Sequence, residues 1–179
     1  MKYLLLVISI IFLFQFCSTK RVKPSVDTNL NIEELPSQES WKSVVTFTDS
    51  GKTKAVLWAG HLRKYNEKRE TLLDQNIKVD FYDQKEVHTT TLTSKNGRVD
   101  ESTNNLFAKD SVVVYSDSVT IKTEEMMWRN KDRKIVSDKF VKVISPKEVI
   151  EGYGFESDQS LRNYIIYKIT YVTRTDTLQ

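Results

Sequence analysis

Ile77-Lys78-Val79-Asp80-Phe81 alternates apolar and charged side chains at every step. Successive side chains of a strand point to opposite faces, so this pattern makes a strand with one dry face and one wet one. The same alternation returns in Val119-Thr120-Ile121-Lys122-Thr123, in Val141-Lys142-Val143 and, with both faces partly apolar, in Val112 to Tyr115. Turn chemistry lies between these runs: Asp49-Ser50-Gly51, Tyr82-Asp83-Gln84, Lys95-Asn96-Gly97, Ser116-Asp117-Ser118 and Asn130-Lys131-Asp132. Asn96-Gly97 is the strongest hairpin signal among them. His61 to Asn76 is the one stretch that tempts a helical reading, but its charged run Asn66 to Glu70 between two strands reads as a solvated turn.

Leu92, Leu106, Ile121, Ile135 and Ile150 recur about every 14 to 15 residues, the length of one strand plus one turn. No such unit can bury its own apolar face, so the units stack side by side. The fold class is therefore all-β: an elongated antiparallel β jelly roll, partly open. Its inward set is Val79, Phe81, Leu92, Leu106, Val112, Val114, Ile121, Ile135, Val141, Val143, Ile150 and Phe155. Periodicity reads these residues as a β core and says nothing of what the interior holds.

The chain of 179 residues suits one domain with a short appendage, and a net charge of +3 is far from that of a nucleic-acid binder. One Cys and two His leave no disulfide within the chain and no Cys/His zinc cluster. No nucleophile elbow or phosphate loop occurs, and Glu124-Glu125 and Asp100-Glu101, adjacent on strands, point to opposite faces. The sequence thus nominates no catalytic residue, metal or cofactor. His61 and His88 read as surface side chains, and Trp128 as a cap on the sheet end whose N–H finds water or a carbonyl.

Residues 1–16 carry one early Lys and a nearly unbroken apolar run, the pattern of a secretion signal. Cys17, followed by Ser18-Thr19-Lys20, resembles the lipidated first residue of a bacterial lipoprotein. An uncleaved anchor ending in an ordinary thiol is the alternative. Residues 17–40, with Pro24 and Pro36, read as the lipidated N-terminus and a tether, and residues 41–179 as the β domain.

Leu92-Thr93-Ser94-Lys95-Asn96-Gly97, Asn105-Leu106-Phe107-Ala108, Val112-Val113-Val114, and Thr123-Glu124 with Trp128 form a recognisable series. It continues through Ile135-Val136-Ser137-Asp138 to Ile150-Glu151-Gly152-Tyr153-Gly154-Phe155-Glu156-Ser157. The series resembles the LptC family, membrane-anchored periplasmic components of the lipopolysaccharide exporter, over about residues 45 to 165. The resemblance implies a relay at the periplasmic face of the inner membrane. Acyl chains of lipopolysaccharide would pass from an ABC transporter, through its permease subunits, to a periplasmic bridge of jelly rolls. It implies that the inward set lines the lipid path, that Gly152 and Gly154 sit where backbone passes closely or bends, and that the strand holding Tyr164 and Ile166 offers a docking edge. The rival reading is an envelope lipoprotein that serves as a protein-interaction module and never handles lipid.

Overall fold

The computed structural model describes residues 35–174. The signal segment, Cys17 and most of the tether lie outside the described residues. Those described form an all-β jelly roll. Its strands are β1 (Gln38–Asp49), β2 (Lys52–Tyr65), β3 (Glu70–Tyr82), β4 (His88–Ser94), β5 (Asn96–Asp100), β6 (Asn105–Tyr115), β7 (Thr120–Arg129), β8 (Lys134–Ile144), β9 (Glu148–Asp158) and β10 (Tyr164–Arg174). They make one antiparallel ten-stranded sheet in sequence order, with β5 pairing both β3 and β6 beside β4. Edge strands β1 and β10 each have one strand neighbour.

A sheet with one apolar face needs a second layer to cover it, and here the sheet covers itself. Nearly every strand is interrupted at the same level. Lys42 takes left-handed backbone opposite Gly60, and Gly60 faces the doublet Gln75–Asn76, both at positive φ. The line continues through Lys95, the positive-φ doublet Asp110–Ser111, the register breaks after Thr123 and Ser137, and Gly154 at φ 73°. Each β-bulge adds twist and a bend. Aligned across neighbouring strands, the bulges make a fold line.

The consequence appears at Trp128. It lies eight residues along β7 from Thr120, whose row runs through Tyr115 and Thr91 to Asp80. In a flat sheet that offset alone is roughly 26 Å at ~3.3 Å per residue. Yet the Trp128 ring lies 5.4 Å from Phe81 and 5.8 Å from Phe47. The two halves of the sheet are thus folded face to face.

Polar groups finish the closure. Within the break between β7 and β8, Thr123 Oγ1 donates to Phe140 O and Ser137 Oγ to Glu125 O, each at 2.7 Å, satisfying carbonyls the ladder leaves free. The β9–β10 turn drops Leu161 into the core and sends Gln159 across to the opposite end. There Gln159 Nε2 donates to Lys54 O and Tyr82 O, while Thr90 Oγ1 donates to Gln159 O. Arg133 pairs with Asp49 across the same seam.

Asn96-Gly97 corrects a sequence expectation. It makes no hairpin: the chain bends at Lys95 and runs on as β5, so β4 and β5 are halves of one bent strand. A Cβ on Gly97 would stand 2.8 Å from Phe107 O and 2.9 Å from Ile77 Cδ1, so this glycine serves close packing rather than a turn. Asn66 to Arg69 form the turn expected of the charged run, between strands and not in a helix.

Gly60 tests the fold line. A Cβ there would lie 2.3 Å from Gln75 O, which is backbone and cannot step aside. Gly60→Ala is expected to cost about 1–3 kcal/mol, as overpacking does, read as a lower urea midpoint. An unchanged midpoint would show that the bulge needs no such approach.

Candidate functional site

The interior is the candidate site. Eleven of the twelve inward residues named from the sequence, Val79, Phe81, Leu92, Leu106, Val112, Val114, Ile121, Ile135, Val141, Val143 and Phe155, are fully buried in one apolar cluster. Ile150 faces the same way, since it opposes Val143, but is only half-buried because its β10 neighbour Val172 is itself exposed, whereas Phe155 on the same strand is covered by Tyr164. Lys78, Lys122 and Lys142 point outward. Lys78 binds Asp80 at 2.7 Å and lies over the Trp58 ring, and Lys142 binds Glu151 at 2.8 Å.

Inward side chains that the roll does not seal lie at its two free edges. On the β1 side Val45 and Phe47 are half-buried and, with Leu57, Leu62 and Val99, line a cavity of about 280 Å³. Its rim carries Lys64, Thr71 and Glu101, where Lys64 and Thr71 both donate to the Glu101 carboxylate. The Thr71 hydroxyl and the Lys64 ammonium hold that carboxyl below its ordinary pKa against the opposing effect of burial.

On the β10 side Tyr164 stacks on Phe155 with centroids 5.9 Å apart, and Ile166 opposes Phe155. Beyond them, Ile169 opposes Gly152 and Val172 opposes Ile150, and both are exposed. Gly152 leaves no room for a side chain, its Cβ position being 2.4 Å from Lys168 O. At Gly154 the positive φ and the overlying Tyr167 leave little tolerance for one. The apolar lining therefore runs from one edge of the roll to the other, sealed in the middle and accessible at both ends.

Several residues escaped the sequence reading. In β2, Ala55, Leu57 and Ala59 are buried, but Val56 and Trp58 make the outward phase apolar too, so the period of two is masked. Trp128 corrects an expectation: far from capping a wet sheet end, it is 1% exposed and its indole N–H has no partner among the described residues. His61 is likewise not a free surface group. Its Nε2 meets Glu39 at 2.7 Å, its Nδ1 meets Asp74 at 3.1 Å, and Trp41 stacks on its ring. Both corrections stem from the folding-over and from cross-strand register, which local pattern does not encode. Among the described residues no cluster of three His, Cys, Asp or Glu could hold a metal ion.

An all-β roll with a continuous apolar interior and, among the described residues, two unpaired edges defines a class of protein built around sequestered apolar surface rather than around a reactive centre. The sequence matches the family model described as lipopolysaccharide-assembly, LptC-related, over residues 3–169. The chain belongs to the LptC family. It is accordingly a transport component in lipopolysaccharide assembly and outer-membrane biogenesis, associated with the cell envelope. No curated protein sequence matches it. Among the described residues no helix is long and apolar enough to cross a membrane.

Asp158 controls how firmly the roll closes. Burial raises its pKa, but hydrogen bonds from the Ser160 and Asn163 side chains and the Arg162 and Asn163 amides outweigh that and hold it below the ordinary value. A carboxyl whose folded pKa is depressed stabilises above its unfolded pKa and loses that contribution as pH falls through the folded one. Asp158→Asn should therefore cost roughly 1–3 kcal/mol at neutral pH. The gap from the parent protein should narrow below about pH 4. Paired denaturation curves at several pH values check this, and a pH-independent gap would contradict it.

Proposed function

We propose that this protein binds lipopolysaccharide by its acyl chains inside the roll and relays it from the inner-membrane ABC transporter to the jelly roll of a periplasmic bridge. Family membership supports the general role. The observation that carries the finer reading is the edge-to-edge lining: inward apolar side chains stay accessible at Val45 and Phe47 on one edge and at Ile166, Ile169 and Val172 on the other.

A lipid moving through water needs its acyl chains hidden at every stage, since each exposed methylene costs about 0.8 kcal/mol. A packed interior meets this need by exchange. As the layers part, apolar self-contact is replaced by contact with the guest, so little apolar surface meets water. The buried set Val79, Phe81, Leu92, Leu106, Val112, Val114, Ile121, Ile135, Val141, Val143 and Phe155, with Ile150, then lines the path. The sugar and phosphates remain outside in water.

The edges serve handover. β10 presents Tyr164 and Ile166 inward and an unpaired backbone outward, a template for adding the next station's strand. Gly152 and Gly154 let β10 lie close on β9. β1 faces the transporter. Cys17, as a lipidated first residue, with a tether that ends at residue 37 rather than 40 because Gln38 to Ser40 belong to β1, would hold the domain at the periplasmic face of the inner membrane.

Photocrosslinkers placed singly in living cells test the lipid path. Leu92 and Val114 positions are expected to capture lipopolysaccharide, and Lys78, Lys122 and Lys142 positions are not. Capture only on the outward lysines would overturn the assigned path.

A further inference from the structure

Trp128 is the largest fully buried side chain among the described residues, and its Nε1–H lacks any acceptor among them. Buried indoles ordinarily find one. The other buried side-chain nitrogen without a partner among the described residues, Nε of Arg63, belongs to a guanidinium engaged with Asp74 at 2.8 Å and partly open to solvent. Trp128 has no such relief. A phenylalanine would fill an apolar slot between Phe47 and Phe81 without bringing an unpaired donor into it.

The indole ring also lies one side chain from an entry. Phe47 touches Trp128 and lines the β1-side cavity. Val99, in the wall of the same cavity, opposes Leu106, which in turn opposes Trp128, so cavity and indole share one row of the sheet. Phe47 sits on an edge strand whose register slips between Phe47 and Thr48. Displacing Phe47 extends the cavity to the indole and disturbs only the outermost ladder.

Resting on the lipid reading above, we propose that Trp128 is the polar recognition point of the interior. Its Nε1–H donates to an oxygen carried by the guest's acyl chains, a carbonyl of the ester or amide linkage or a chain hydroxyl. Methylenes are indifferent to their position along a greasy wall. One fixed donor in an otherwise apolar channel sets the depth of the chain and selects acylated lipids over plain alkyl ones.

The test uses the full chain and two probes. Lipid A carries chain carbonyls and hydroxyls, whereas dihexadecyl phosphate confines its oxygens to the head. Trp128→Phe should weaken lipid A binding roughly three- to tenfold and leave dihexadecyl phosphate binding unchanged. In the chain labelled with ¹⁵N-tryptophan, the indole resonance retained by the double variant Trp41→Phe/Trp58→Phe, which keeps Trp128 as the one tryptophan, should move downfield with lipid A and not with dihexadecyl phosphate. This second measurement holds even if Trp128→Phe folds poorly. Equal effects with both probes, or an indole already satisfied by a water and unmoved, would overturn the donor role and leave lipid binding standing. If neither probe binds the unmutated chain, the lipid reading fails and the donor role with it.

Discussion

Register breaks aligned across neighbouring strands are the constraint on which this structure depends. A ten-stranded sheet with one apolar face cannot stand alone in water, and the described residues supply no helix to cover it. Placing breaks at Gly60, Gln75–Asn76, Lys95, Asp110–Ser111, the gap in β7 and β8, and Gly154 lets the sheet bend and become its own second layer. Left-handed backbone at a non-glycine residue costs about 1–2 kcal/mol. Burial of large side chains, each contributing ~1.5–3 kcal/mol, offsets it along the line. Trp128 meets Phe81 and Phe47 of the opposite layer only because the fold line exists.

Closure depends on few polar contacts. Gln159 and Thr90 tie the β9–β10 turn to the far end, and Asp158 shapes that turn by accepting hydrogen bonds from its residues. A seam held by side chains to carbonyls, not by a ladder, yields more readily than the ladders on either side of it. Two layers joined by bent strands at one margin and by such a seam at the other have the mechanical character of a hinge with a clasp.

Much of this was legible in the sequence. Strict alternation at Ile77 to Phe81 and the spacing of Leu92, Leu106, Ile121 and Ile135 identify the strands and their buried face, because a period of two is local and needs only the chain itself. Position in the sheet is different. Ile150 follows the same spacing yet stays half-buried, since its cover depends on the neighbouring strand, where the opposing Val172 is itself exposed. Gly97 reads as a turn by composition and proves to be a close approach, since the contact with Phe107 arises from a strand outside its local sequence. For the same reason the partners of His61, on β1 and β3, and the isolation of the Trp128 N–H could not be anticipated. Of the candidate site, the lining was readable as apolar, and its continuity to both edges was not.

The two edges are not equivalent, and the difference bears on the direction of the proposed relay. β1 is fastened near its start by Glu39 and Trp41 on His61, while its lower part carries the register slip beside Phe47 and covers a cavity. β10 instead borders a cavity of about 530 Å³ lined, beside Tyr164 and Ile165, by Lys134, Glu156, Asp158, Arg162 and Asn163, polar side chains rather than the apolar core. Its inward residues Tyr164 and Ile166 already pack on the core, and its exposed side chains Ile165, Tyr167 and Tyr171 stand on the outside. A guest entering at β1 displaces one loosely seated aromatic ring. A guest leaving at β10 must separate a stacked Phe155–Tyr164 pair unless a partner strand first draws β10 away. Entry is thus the easier step in the isolated domain, and exit is the step that a docked neighbour would have to promote.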